Sequence, residues 1–218
     1  MEPIILASES PRRQNFFHLL EIPFICIPAM IDETPKQGLT PGEVAEDLAL
    51  RKVLAVANPA SNPGIKNMAL RSGAGWIFGA DTIVVLDGDI LGKAANRDEA
   101  GQMLGRLAGK RHKVITAMAL HNCAENTTDC RSVSCDVEFS PLTKAEIEWY
   151  VNTDEWEGAA GAYRIQERGG CLVKLLHGSP STVAGLPLHE FCTMLQDNGC
   201  WQYEASPPID IIPHSLPC

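Results

Sequence analysis

A chain of 218 residues with 45% hydrophobic and 21% charged residues can bury one full core, which excludes disordered and fibrous classes. A formal net charge of −9 argues against a nucleic-acid polymer as partner, since that needs a broad basic surface, but leaves room for a nucleotide held in one locally positive cleft. No basic region precedes a long apolar run at the amino terminus, and no stretch nears the roughly 18 uncharged apolar residues of a membrane helix. The expectation is therefore a cytoplasmic protein without membrane contact, its eight scattered cysteines reduced.

In chain order, Ile4-Ile5-Leu6-Ala7 reads as a short buried strand, and Ser8-Glu9-Ser10-Pro11-Arg12-Arg13 as the junction into a helix, with Ser10 as N-cap and Pro11 as first helical residue. Free N–H groups at a helix start favour an anion, and two guanidinium groups add planar donors; a solvated Arg pair is the alternative that pattern alone leaves open. Phe24–Ile27 predicts a second strand, and Ile31–Pro35 a polar turn. Thr40-Pro41-Gly42-Glu43 starts a helix whose apolar face is Val44, Ala45, Leu48, Ala49 and Val53. Asn58–Gly75 lacks periodicity and reads as an exposed loop. Trp76–Leu86 is an apolar strand broken only by Asp81-Thr82, and Asp87-Gly88-Asp89 is a hairpin turn leading to Ile90-Leu91-Gly92-Lys93. A helix follows from about Asn96 to Leu107, then an antiparallel pair, Lys113–Cys123 with Cys130–Phe139, on which Cys130 and Cys135 point to opposite faces. Thr143–Val151 is a helix with a capping box from Thr143 to Glu146. Tyr163–Gln166 and Cys171–Val173 predict short strands, Leu186–Leu195 a last helix, and residues 199–218 a Pro-rich tail, extended or disordered. Alternating strands and helices make this an α/β layered fold, and no composition break divides residues 1–198.

Asp81 is the sharpest candidate for chemistry, because a carboxylate inside an apolar strand must be paired, metal-bound or functional, or else cap a loop. Asp32 and Glu33 add carboxylates of the kind magnesium prefers when phosphate oxygens complete its shell. Lys52 lies in an apolar-striped helix, and Lys93 follows a glycine where backbone can approach a ligand; each taken singly reads as a surface lysine. Gln166 has an amide suited to a base edge or, equally, to an exposed strand position. His112, within Lys110-Arg111-His112-Lys113, reads as a basic strand entrance, and the six histidines show no ligand spacing.

Together these residues resemble the Maf family of nucleoside triphosphate pyrophosphatases. The resemblance rests on Ile5-Leu6-Ala7-Ser8-x-Ser10-Pro11-Arg12-Arg13, Asp32-Glu33, Gly79 to Gly88 with Leu91-Gly92-Lys93, Ala160-Gly161-Ala162-Tyr163-x-Ile165-Gln166, and Val183-x-Gly185-Leu186-Pro187, in family order over about residues 4–195. It implies an elongated mixed sheet flanked by helices, with two lobes around a central cleft as in the Maf and ITPase folds, commonly in a homodimer. It also implies hydrolysis of a nucleoside triphosphate to monophosphate and pyrophosphate with Mg2+ or Mn2+. On the family pattern Asp81 is the proton acceptor, Glu33 and Asp81 hold the metal, and Ser8, Arg12, Arg13, Lys52 and Lys93 meet phosphate. Arg12, Thr82 and Gln166 take the specificity positions, in the arrangement of the dTTP and UTP branch. Departures are Arg164, where the family often has glycine, and the continuation Glu167-Arg168-Gly169-Gly170. Two other readings stay open: a non-catalytic nucleotide-binding regulator of cell division, and a pyrophosphatase for ITP or XTP.

Overall fold

In the computed structural model, which describes residues 2–58 and 74–201, the first apolar run forms strand β1 (Ile4–Leu6), buried throughout, and the chain turns into helix α1 (Pro11–Leu19). Pro11 opens the helix as its fixed φ allows. Ser10, however, makes no side-chain cap: its backbone N–H donates to Ser8 Oγ at 3.2 Å, so the serine that shapes this junction is Ser8. Strand β2 (Phe24–Cys26) pairs in parallel with β1. Helix α2 (Pro41–Ala57) begins with a complete Thr40–Glu43 capping box.

Strand β3 (Trp76–Leu86) is the centre of a mixed seven-stranded sheet. The Asp87-Gly88 turn, with both residues at positive φ, returns the chain as β4 (Asp89–Leu91). Helix α3 (Arg97–Leu107) follows, then the hairpin of β5 (Arg111–Asn122) and β6 (Thr127–Phe139), helix α4 (Lys144–Val151), strand β7 (Val173–His177), a short helix α5 (Pro180–Ala184) and helix α6 (Leu188–Asp197). Sheet order is β2-β1-β3-β5-β6-β7, with β4 on β3. Cys130 is exposed and Cys135 buried, as alternation along β6 requires.

One edge of β3 pairs with β5 along nearly its whole length. The other edge pairs with β1 at Trp76–Phe78 and with β4 at Val84–Leu86, which leaves Gly79–Ile83 without a strand on that side. The apolar packing is divided to match. On one face, Ile77, Ile83 and Ala117 pack against Ala45, Ala49 and Val53 of α2. On the other face, Phe78, Ala80 and Met118 pack with Phe17 of α1 and Phe191 of α6, while farther along β3 Val84 and Leu86 belong to a separate cluster with Leu104 of α3 and Tyr150 of α4. Thr82 and Thr116 stand between those clusters. The cleft opens beside Thr82, where this change of packing occurs.

Two predicted strands are corrected. Tyr163 and Arg164 have no regular structure, residues 165–167 form a turn, and Cys171 and Leu172 belong to a 3-10 turn (Arg168–Leu172), so that only Val173 of the second prediction is strand, at the start of β7. Local bonds explain this: Glu167 N–H donates to Arg164 C=O and Gly170 N–H to Glu167 C=O, so these backbone groups are satisfied without a ladder. Helix α5 was not expected from the pattern. Most of the predicted Asn58–Gly75 loop and of the 199–218 tail lies outside the described residues, among which no helix is long and apolar enough to cross a membrane.

Thr40 holds the start of α2 through its hydroxyl and the Glu43 carboxylate. Thr40→Ala is expected to cost about 1 kcal/mol and lower Tm by roughly 2–4 °C, measured by thermal unfolding.

Candidate active site

Asp81 lies in the unpaired stretch of β3, beside a cavity of about 460 Å³ walled by the β1–α1 junction, α2, β3, Lys93 and the 157–167 turns. A carboxylate only 9% exposed needs a counter-charge, and Lys52, 8% exposed, supplies it with Nζ 2.5 Å from Oδ1. The approach depends on Gly79, two residues earlier on the same face. A Cβ built there would lie 2.9 Å from Val53 Cγ1, 3.2 Å from Ala49 C=O and 3.3 Å from Lys52 Cβ, so the absent side chain is what lets α2 pack onto β3 at this height.

The same ammonium reaches Glu33 Oε1 at 2.8 Å, and Lys93 Nζ lies 2.8 Å from Glu33 Oε2. Glu33 is placed by α2 as well: Arg51 donates to the carbonyls of Asp32 and Thr34 at 2.6 and 3.2 Å, and the Asp32 carboxylate closes its own turn by accepting from Thr34 N–H. Asp32 therefore shapes the loop and does not enter the cavity wall, whereas Glu33 does. Partial burial pushes the Glu33 carboxyl up, but hydrogen bonds and charge from Lys52 and Lys93 outweigh it and hold the group at about 2.

Arg13 leads a second network on the other side of β3. Its Nε donates to Gly185 C=O at 2.9 Å, one terminal nitrogen to Ser8 Oγ at 3.2 Å and the other to Thr82 Oγ1 at 3.1 Å. Thr82 Oγ1 lies 2.9 Å from Thr116 Oγ1, directly opposite on β5, and Thr116 donates to Thr182 C=O at 2.7 Å. Burial lowers the Arg13 pKa, while Asp81 and Glu33 act to raise it. Thr116 was missed in the sequence; its signal was a hydroxyl inside an apolar strand facing a second one at Thr82.

Arg12 lies farther along the cavity, and its guanidinium has no hydrogen bond or ion pair among the described residues. Burial, then repulsion from Arg13 and Arg164, pushes it down to about 10, so it stays charged at neutral pH. Gln166 is not brought into the cavity wall. It is exposed, with Nε2 donating to Glu167 Oε1 at 3.3 Å, and Arg164 and Glu167 line the cavity there. His112 is no basic entrance either: it is buried, its Nε2 is 2.9 Å from Tyr163 Oη, and burial pushes it down to about 4 against the pull of Asp136. It is a neutral support beneath the 160s turns.

The arrangement offers two carboxylates bridged by one ammonium, with further cations around them, in a chain of net negative charge. It can bind polyphosphate through Arg13, Lys52 and Lys93, with a carboxylate oxygen left to take a proton. Among the described residues no three His, Cys, Asp or Glu side chains group as a metal cage. Glu33 and Asp81 nevertheless fit a hard divalent cation that draws its remaining ligands from phosphate and water, since both reach one point now held by Lys52.

A family model described as Maf-like protein matches residues 3–198. The dTTP/UTP pyrophosphatase of Symbiobacterium thermophilum is 41% identical over 199 residues, which cover 91% of this chain and 95% of that protein. The dTTP/UTP pyrophosphatase of Pelotomaculum thermopropionicum is 42% identical over 199 residues, covering 91% and 98%. Among solved structures, the Staphylococcus aureus Ham1 protein aligns at a TM-score of 0.42 and 16% identity over 64% of this chain and 73% of that one.

Removing the bridging ammonium by Lys52→Met strands a buried carboxylate, and the expected loss is about 3 kcal/mol, or roughly 6–12 °C in Tm. Lys93→Met removes only an exposed pair and should cost under about 1 kcal/mol in the same melting assay. Glu33 titrates near 2 when folded against an ordinary 4.5, so its contribution to stability is complete above about pH 4.5 and is lost as pH falls toward 2. Glu33→Gln should flatten acid unfolding in that window, as followed by circular dichroism.

Proposed function

Because the chain belongs to the Maf family, we propose that its cleft hydrolyses dTTP and UTP to the nucleoside monophosphate and pyrophosphate. The relatives' activity supports this reading. The observation that carries it is the Lys52 ammonium shared by Asp81 and Glu33 in the unpaired stretch of the central strand, beside the buried Arg13. Such a cluster matches a substrate with several phosphate charges and one proton to be removed.

In this mechanism Ser8, Arg13, Lys52 and Lys93 bind the triphosphate and neutralise the charge that builds on the leaving pyrophosphate, the dominant contribution expected in phosphoryl chemistry. Arg13 is fixed before substrate arrives by its three hydrogen bonds, so little reorganisation is needed. Asp81 Oδ1 is engaged by Lys52, while Oδ2 accepts no hydrogen bond among the described residues. Oδ2 is the atom that takes the proton from the water attacking the α-phosphorus. Glu33 and Asp81 would hold Mg2+ or Mn2+; bound there, the cation supplies further neutralisation and polarises the phosphoryl group. Base preference on the family pattern involves Arg12, Thr82 and Gln166; Thr82 acts while anchored to Arg13, and Gln166 through Glu167. A homodimer and a cytoplasmic setting are supported by the family resemblance.

Pyrophosphate release measured over dTTP, UTP, CTP, 7-methyl-GTP and ITP tests the reading, with dTTP and UTP expected to be fastest. Asp81→Asn should lose about 10²–10⁴-fold in kcat while keeping its circular dichroism spectrum. Wild-type kcat in that variant would remove Asp81 from the role of base, and binding without turnover in the parent protein would favour a regulator.

A further inference from the structure

Beyond the phosphate end, the cavity wall includes Arg12, Glu157, Arg164 and Glu167, none of which binds phosphate or moves a proton in the mechanism above. Arg164 is held there by several contacts. Its backbone N–H donates to the hydroxyl of buried Tyr150 at 3.0 Å, and its side chain donates to Glu157 C=O at 2.8 Å and approaches Glu167 Oε1 at 3.5 Å. The 3-10 turn packs directly behind it: a Cβ on Gly169 would fall 2.5 Å from Arg164 C=O, and one on Gly170 2.7 Å from Ile165 C=O. A side-chain carbon at either place would collide with backbone, so glycine is what lets this turn pack against Arg164 and Ile165. Two donors are nevertheless unmatched. Arg164 Nε is buried without a partner among the described residues, and the Arg12 guanidinium is likewise unpartnered. A guanidinium without a protein partner beside a cavity, as at Arg12, is what a binding site for an oxygen-rich edge requires.

Glu167 adds the opposite polarity. Its Oε1 is engaged by Gln166 Nε2 and Arg164, which orients the carboxylate and leaves its other oxygen to accept an N–H. We propose that Arg164 and Glu167, with Arg12, form the subsite that reads the nucleobase, and that they select a 2,4-dioxopyrimidine. That ring presents two carbonyl oxygens on either side of one N–H, which answers two guanidinium donors and one carboxylate acceptor. A 4-aminopyrimidine puts a lone pair where that N–H stands, and a carboxylate facing it meets like charge. Arg164 and Glu167 are thus specificity-determining residues, and Gln166 is a positioning residue that acts through the Glu167 carboxylate. The inference rests on the nucleotide reading of the cleft but not on turnover.

Binding therefore tests it directly. Calorimetric titration with the non-hydrolysable α,β-imido analogues of UTP and CTP, on the full chain with Mg2+, should show the parent protein preferring the uridine analogue by roughly tenfold or more. Glu167→Gln, whose amide can donate to the cytosine lone pair, should bring the ratio of the two Kd values near one, chiefly by tightening the cytidine analogue. Arg164→Met should weaken the uridine analogue roughly tenfold without a comparable change for inorganic triphosphate. Equal affinities in the parent protein, or a ratio within twofold of the parent's in Glu167→Gln, would overturn the proposal. Pyrophosphate release from UTP by the parent protein judges the hydrolytic reading separately, since either result there is compatible with a base-reading wall.

Discussion

A carboxylate on the central strand of a sheet must be neutralised, and much of this molecule is arranged around that requirement at Asp81. Lys52 can meet it only because α2 lies close enough to β3 for its Cβ to approach Gly79. The same helix carries Arg51, which ties down the Asp32–Thr34 loop and so delivers Glu33 to the other side of the Lys52 ammonium. One helix–strand contact thus sets the separation of the two carboxylates and the position of the cation between them. The capping box at Thr40 and the apolar stripe of α2 are supports for that contact.

The sheet itself makes room for the site. β1 and β4 cover the two ends of one edge of β3, and within the gap between them Asp81 and Thr82 line the cavity. On the face opposite α2, apolar packing would be continuous but for Thr82 and Thr116. Their hydroxyls bind each other, Arg13 and Thr182 C=O, so both threonine side chains are satisfied between the two apolar clusters. A buried guanidinium with three fixed partners presents its remaining N–H capacity to the cavity in a set direction.

Charge is distributed along the cleft with a purpose that net charge conceals. In a chain of −9, Arg12, Arg13, Lys52 and Lys93 all line one cavity, and the carboxylates that balance Lys52 and Lys93 are those suited to exchange a lysine for a divalent cation. Beyond burial, the charges that act on Arg13 are Asp81 and Glu33, whereas those that act on Arg12 are Arg13 itself and then Arg164 and Glu167. The adjacent arginines of one helical turn therefore belong to different ends of the site.

The sequence by itself determined the strands and helices whose signal is local: the buried β1 run, the two capping boxes, the Asp87-Gly88 hairpin and the oddity of Asp81 within an apolar strand. Those features depend on neighbours a few residues away, and their physics is complete at that range. It could not show that Ser8 rather than Ser10 shapes the first junction, that Thr116 completes the Arg13 network, or that His112 is buried and neutral under Tyr163. It also misread residues 163–166 and 171–172 as strands, because turn bonds from Glu167 and Gly170 and the close packing of Gly169 against Arg164 satisfy that backbone in another way. Tertiary structure decided which lysine meets which carboxylate, and it turned Arg164 and Glu167, rather than Gln166, toward the cavity. The reason is that these contacts join positions up to 172 residues apart, as in the Arg13–Gly185 bond, and no local pattern records a distance closed only by packing the sheet between its helices.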